Sequence, residues 1–116
     1  MWLAAAALLL AIGFSLWRTR HVVARGDTYV LLLYEDSSYR RPGPGEGAHR
    51  LAEMERWGDS LSRRGELQVA GHLVGTGMPG GLFLIRARSD SDAARIAASS
   101  PFIKWGGRID VWRFIE

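Results

Sequence analysis

Strand-type and helix-type patterns alternate along residues 28–115 in an order that few folds accommodate. Residues 28–34 read TYVLLLY, a short unbroken apolar run that predicts a strand buried on both faces. Residues 35–47 hold two prolines and three glycines, which predict a long loop. From residue 48 to 64 apolar side chains recur at steps of three and four, which predicts a helix that ends at Gly65; they are Leu51, Met54, Trp57 and Leu61.

The second half of this region repeats the theme. Residues 66–73 and 82–88 predict two strands joined by the turn sequence GTGMPGG, and 108–115 predict a closing strand. Ser89 or Asp90 begins a second helix, which ends at Ser99-Ser100-Pro101 because proline disfavours helix in the residue before it. The resulting βαββαβ order predicts an α+β, ferredoxin-like sandwich with both helices on one face of the sheet.

The opposite face of that sheet would carry large apolar side chains. Residues 28–34 are apolar on both sides, and in the closing strand Trp112 and Phe114 point away from Ile109, Val111 and Ile115. An uncovered apolar sheet face is unfavourable in water. We therefore expect two copies to pair face to face as a homodimer.

Residues 1–27 form a separate N-terminal region. Trp2 to Trp17 is a 16-residue stretch without a charge, and Arg18 and Arg20 follow it. An apolar helix with this basic flank predicts a membrane anchor through residues 2–17, with the domain at 28–116 on the cytoplasmic side. A signal peptide cut near Val22-Val23-Ala24, which would leave the domain secreted or periplasmic, is the first alternative. A misassigned start codon or a soluble helix lying on the domain is the second.

Composition removes several classes of function. The 116-residue chain contains no cysteine, which excludes disulfides, thiolate metal sites and cysteine nucleophiles, and its three histidines leave little for a metal site. The net charge is +3, but residues 28–116 hold 12 basic and 11 acidic side chains that alternate along the chain. Nucleic-acid binding needs clustered positive charge. We expect no nucleic-acid partner, no metal and no cofactor.

Four segments of the domain resemble one known family. They are YVLLLYED at 29–36, GEL and AGHL within 65–73, GGLFLIRARSDSDAARIAASSPF at 80–102, and RIDVWRFI at 108–115. Together they resemble the YCII-related (YciI-like) family, in which two ferredoxin-like domains form a dimeric α/β barrel. The resemblance implies a homodimer, a cleft on each protomer between the sheet and its loops, and an acid–base pair of aspartate and histidine. The resemblance places Asp36 at the family's aspartate position, and His49 resembles the family's histidine early in the first helix.

Three residues are therefore candidates for catalysis: Asp36, His49 and His72. Asp36 lies at a strand end beside the long loop; burial there would raise its pKa, whereas an ordinary turn aspartate would bind its own backbone. His49 falls opposite the apolar helix face, where we expect it to be solvated. His72 shares an alternating strand face with Gln68 and Ala70 and could reach a cleft. Arg40 and Arg41 could attract an anion, although solvated loop charges are the simpler interpretation.

Two other motifs have structural explanations. Ser37 and Ser38 follow Asp36 without a nucleophile-elbow pattern, so a serine hydrolase is not expected. The glycines of GTGMPGG precede a strand and do not open a helix, which favours a hairpin turn over a phosphate loop.

Two hypotheses for function remain. The first is a membrane-tethered dimer that binds a small molecule or serves as an accessory module. The alternative is a small isomerase- or lyase-like enzyme that uses an Asp–His pair for proton transfer or elimination. An ionisable pair that lines a cleft would favour the enzyme, and a cleft filled by apolar side chains would favour the accessory module.

Overall fold

The computed structural model describes residues 26–75 and 79–116. The predicted N-terminal anchor at 2–17 and positions 76–78 of the predicted turn lie outside these residues. The described elements are, in order, β1 Asp27–Tyr34, α1 Glu46–Arg63, β2 Leu67–His72, β3 Gly81–Ala87, α2 Asp90–Ala98, α3 Pro101–Lys104 and β4 Arg108–Arg113.

The four strands form one antiparallel sheet in the order β2-β3-β1-β4. β1 lies at its centre, where Leu31 pairs with Phe83 on one side and with Val111 on the other. The residues of β1 that face the helices are buried, and most of those on the opposite face are half-buried, so the strand is apolar on both faces although the described helices cover only one. The βαββαβ order and the ferredoxin-like α+β architecture are as predicted.

The core lies between one face of the sheet, called here the inner face, and the helices. In β1 every second residue is buried (Tyr29, Leu31 and Leu33), as expected for a period of two. The rest of the core comes from β3, the helices and the residue after α3: Trp57, Leu61, Phe83, Ile85, Ala87, Ala93, Ile96, Ala97, Phe102 and Trp105. Both main helices therefore pack on the same side of the sheet, as predicted.

The bounds of several elements differ from the prediction by one or two residues; α1, for example, begins at Glu46 and ends at Arg63, where residues 48–64 were predicted. The closing strand ends at Arg113 and does not reach residue 115. Pro101 ends α2 as predicted, but it also begins α3, a short helix that the sequence analysis did not identify. Proline is favourable in the first turn of a helix because the N–H that it lacks has no partner there. The Ser100 hydroxyl caps this turn by accepting a hydrogen bond from the Phe102 N–H at 3.2 Å.

A β-bulge interrupts the pairing of β2 with β3. Leu67 pairs with Ile85, whereas Val69 pairs with Leu84, so two steps along β2 match one step along β3. Beyond the bulge Ala70 lies opposite Phe83 on the inner face of the sheet. The bulge therefore places Leu67, Ala70 and His72 on one face and separates them from Gln68.

The other face of the sheet, called here the outer face, is left uncovered by the described helices. It carries half-buried apolar side chains from β1 and β3, among them Val30, Leu32 and Leu84. Trp112 pairs with Val30 on this face and is 60% exposed. Phe114 follows β4 and is also exposed. The predicted exposed apolar face is present, and the homodimer that it suggests stays a prediction.

Within the described ranges, no helix combines the length and apolar character needed to cross a bilayer.

Candidate functional site

A cleft of about 590 Å³ opens on the inner face of the sheet, between α1 and the β2–β3 pair. It lies beside the edge strand β2, where α1 packs on the inner face of the sheet through Trp57 and Leu61. Trp57 of α1 packs against Phe83 of β3, with 4.9 Å between the ring centroids and the ring planes tilted by 59°. Every residue of β2 after Leu67 is exposed. Helix and edge strand thus form two walls, and Phe83 of β3 lies in the floor between them.

The floor of the cleft is apolar. Leu33, Met54, Leu67 and Phe83 line it. Glycines on both sides keep it open: a Cβ at Gly58 on α1 would meet only Phe83 Cε2, at 4.0 Å. Such a floor can bury the hydrophobic part of a ligand.

The two rims differ in chemistry. On α1, Leu51, Glu55 and Asp59 line the cleft at intervals of four residues, which places them along one side of the helix. Across from them Ala70 and His72 line it from β2, on the side to which the bulge assigns them. The described cleft therefore combines an apolar floor with a carboxylate-bearing rim and a histidine.

Arg50 forms the wall at the start of α1, and its side chain is only 11% exposed. Its guanidinium lies over the Trp105 ring at 4.8 Å from the centroid. It donates hydrogen bonds to the Arg40 carbonyl oxygen at 2.6 Å and to the Tyr39 hydroxyl at 3.3 Å, and it pairs with Glu46 at 3.1 Å. Arg50 thus holds the β1–α1 loop in place against the cleft.

The same loop is also attached to the residues after α3. The Arg40 N–H donates to the Trp105 carbonyl oxygen at 2.8 Å, and the Ser38 hydroxyl lies 2.9 Å from the Gly106 carbonyl oxygen. Gly106 has φ +87°, in the left-handed region that favours glycine. The long loop is therefore a fixed wall of the site.

Asp36 is exposed and interacts with its neighbours in the loop and with β4. Its carboxylate accepts hydrogen bonds from the Ser38 hydroxyl at 2.9 Å, the Ser38 N–H at 3.3 Å and Arg108 Nε at 3.1 Å. The Ser38 hydroxyl first, and then Arg108, lower the pKa of Asp36, because both favour the charged carboxylate. The side chain is exposed, and its hydrogen bond from the Ser38 N–H agrees with the alternative given above, a turn aspartate that binds its own backbone.

The two candidate histidines lie in different surroundings. His49 is 73% exposed on α1, with Nε2 at 3.6 Å from Glu53 Oε1, in agreement with the predicted solvated position. His72 lines the cleft. Among the described residues, Asp36 forms its hydrogen bonds with Ser38 and Arg108 and with neither imidazole. The three residues are thus not joined into one hydrogen-bonded group, and their catalytic role stays a prediction.

Sequence reasoning missed Arg50, Tyr39 and Trp105 as parts of the site. An arginine in the first turns of an amphipathic helix is usually solvated, and no local signal shows that a distant tryptophan lies beneath it. Arg40, considered above as an anion site, instead donates a hydrogen bond from its guanidinium to the Lys104 carbonyl oxygen. Within residues 26–75 and 79–116, no group of three or more histidine, aspartate and glutamate side chains could hold a metal ion.

Comparison with protein-family models finds no match to this chain, and comparison with curated proteins finds none either.

Proposed function

We propose that this chain is a small-molecule-binding domain of the YCII-related type. In this proposal the ligand binds in the cleft between α1 and the β2–β3 pair, and two copies associate through the outer face. The observation that carries the proposal is the cleft itself: its volume of about 590 Å³ lies in the range typical of ligand sites, and its floor is apolar. The fixed loop wall supports it, since a wall already in place loses little conformational entropy on binding.

The dimer in this proposal is supported by the resemblance to the YCII-related family, whose domains associate in pairs. A face-to-face pair of sheets would cover Val30, Leu32, Leu84 and Trp112, which the described helices leave open. The cleft lies on the inner face, so pairing through the outer face would leave it accessible.

Tethering to a membrane through residues 2–17, with the domain in the cytoplasm, belongs to the same proposal. It is tested by fractionation of the tagged full chain, where a soluble product starting near Arg25 would instead indicate cleavage and a secreted domain.

The binding site is tested with a variant in which a larger side chain on α1 fills the cleft. In Gly58→Leu the new side chain enters the space beside Phe83, and a leucine is favourable within a helix. Gly47→Leu is the matched control, because position 47 lies on the same helix outside the cleft lining and has open space around it.

A library of neutral, cationic and anionic aromatic fragments is titrated into the isotope-labelled full chain, and backbone amide shifts are followed by NMR. We expect binders to shift the amides of Leu67, Gly81 and Phe83 in the parent and in the Gly47→Leu variant, and to lose this effect in Gly58→Leu. The proposal fails if no fragment of any charge shifts those amides.

An acid–base enzyme is the second candidate, favoured by one observation: His72 lines the cleft. A carboxylate with a lowered pKa is a weaker base, so in this candidate His72 removes the proton and Asp36 does not. Once a fragment that binds the cleft is found, His72→Ala distinguishes the two candidates. Asp36→Asn is its control, because Asp36 does not remove the proton in this candidate. The enzyme predicts proton exchange at a carbon of the bound compound that His72→Ala abolishes, and the binding module predicts no such exchange.

A further inference from the structure

The charged groups around the cleft are unevenly satisfied. Arg50 is the one arginine or lysine among the described lining residues. Its guanidinium already binds Glu46, the Tyr39 hydroxyl and the Arg40 carbonyl oxygen, and one of its faces rests on Trp105. The positive charge of Arg50 is therefore largely paired with groups of the protein itself.

The acidic residues that line the cleft, in contrast to Arg50, have no such partners among the described residues. Glu35, Glu55 and Asp59 are exposed, and within the described residues none of them forms a hydrogen bond or an ion pair. Glu55 and Asp59 lie one turn apart on α1, on either side of Gly58 in the sequence. The carboxylates at the rim of the cleft are thus unpaired among the described residues.

The placement of this charge next to apolar surface determines what can bind. Met54 and Phe83 form the floor that adjoins this rim, so a ligand lying on them would bring one end close to the carboxylates. Apolar walls weaken the screening of charge by water, which strengthens attraction to a cation and repulsion of an anion.

We infer that the cleft selects an amphipathic cation, a small molecule with an aromatic or aliphatic body on the apolar floor and a protonated amine facing Glu55 and Asp59. This inference rests on the proposed binding function and adds the sign of the ligand's charge. The cavity and its floor define the site, and the carboxylates set its preference.

Three probes of nearly equal size test it: 2-phenylethylammonium, neutral 2-phenylethanol and anionic 3-phenylpropanoate. Each is titrated into the labelled full chain at neutral pH and low salt, and the dissociation constant is taken from the amide shifts of Leu67, Gly81 and Phe83. We expect the cation to bind most tightly and the anion least. Added salt should reduce this difference, because the charges at the rim are exposed to solvent.

The double variant E55Q/D59N removes both charges and keeps the shape of the rim. It should raise the dissociation constant of the cation by about three- to tenfold, since one exposed ion pair changes an equilibrium by up to about fivefold. The neutral probe should bind the variant as it binds the parent. Glu116→Gln, which removes a carboxylate outside the cleft lining, should change neither constant.

Two results would overturn the inference while leaving the proposed function intact. One is an anionic or neutral probe that binds the cleft as tightly as the cation, or a cation that does not bind there although other fragments do. The other is an unchanged dissociation constant of the cation in E55Q/D59N. Failure of the binding function is a different result, in which no compound of any charge shifts the cleft amides.

Discussion

Gly106 is the residue at which the loop wall of the cleft meets the segment after α3. Its φ of +87° favours glycine, and a Cβ built there would lie 2.1 Å from the Ser38 carbonyl oxygen. Both facts concern backbone atoms, which cannot move aside as a flexible side chain can. The position of the loop therefore depends on the absence of a side chain at residue 106.

Replacement of this glycine should be costly. We expect Gly106→Ala to lower the free energy of unfolding by about 2 kcal/mol or more, from left-handed backbone strain and the contact with Ser38. Urea unfolding followed by circular dichroism measures it. Gly47→Ala is the control: it has open space, lies in α1 and should be neutral or slightly stabilising. Equal stability of the two variants would contradict the role given to Gly106.

The hydrogen bonds of Asp36 predict how this carboxyl titrates. Its pKa lies below the ordinary value of 3.8, so its favourable contribution to folding is complete above that value and disappears as the pH falls through the lowered pKa. We expect Ser38→Ala to raise this pKa more than Arg108→Gln does, because the Ser38 hydroxyl is the larger cause. Carboxyl NMR titration measures both. Arg41→Gln, in the same loop, should leave the pKa unchanged, and an equal rise in that variant would point to a general charge effect.

At the scale of single elements, patterns within a few residues predicted most of the fold. The three- and four-residue steps that include Trp57 and Leu61 marked α1, and Gly65, with φ +72°, follows it as expected. Ser89 was one of two proposed caps for α2, and its hydroxyl accepts the Asp92 N–H at 3.1 Å. α3 is not predicted by these patterns, because a proline that ends one helix is equally favourable in the first turn of the next.

The missed parts of the site depend on contacts between elements. The bulge in β2 cannot be seen in the alternation of residues 66–73, which places Gln68 and His72 on one face. The Gln68 side chain meets Thr28 across the sheet, at 3.2 Å. The contact of the Arg50 guanidinium with the Trp105 ring joins residues 55 positions apart in sequence. Only the folded chain brings such partners together, so local patterns carry no signal for them.

The cap of α2 gives a prediction at this scale. Ser89→Ala removes the acceptor for the Asp92 N–H and should destabilise the protein by about 1 kcal/mol. Thermal unfolding, compared with the parent, measures the change. Ser62→Ala serves as the control because Ser62 is an exposed residue inside α1, where alanine is a good helix former. If Ser62→Ala is as destabilising as Ser89→Ala, the cap contributes nothing specific.

At the scale of the whole molecule, the two faces of the sheet differ in what covers them. The inner face holds the core and, at its β2 edge, the cleft. The outer face has no described helix over it and carries Trp112 beside Val30. The predicted dimer and the predicted ligand site therefore use opposite sides of four strands and do not compete for surface.

Association through the outer face should depend on Trp112. We expect Trp112→Lys to weaken the dimer by about 2 kcal/mol or more, roughly thirtyfold in dissociation constant, as for a central aromatic residue of an interface. Sedimentation equilibrium of the full chain measures it. Val74→Lys adds the same charge at a side chain that is 99% exposed outside the strands, and should leave association unchanged. A parent chain that stays monomeric at high concentration would contradict the dimer.

The bulge in β2 also has a consequence for descent. Leu67 and Val69 already face neighbouring residues of β3, so Gln68 occupies an extra place in the strand. Loss of its codon would leave a regular ladder in which Ala70 and His72 keep their partners Phe83 and Gly81. Because β-bulges are conserved within protein families, homologues of this protein are expected to keep an extra residue at this point of β2.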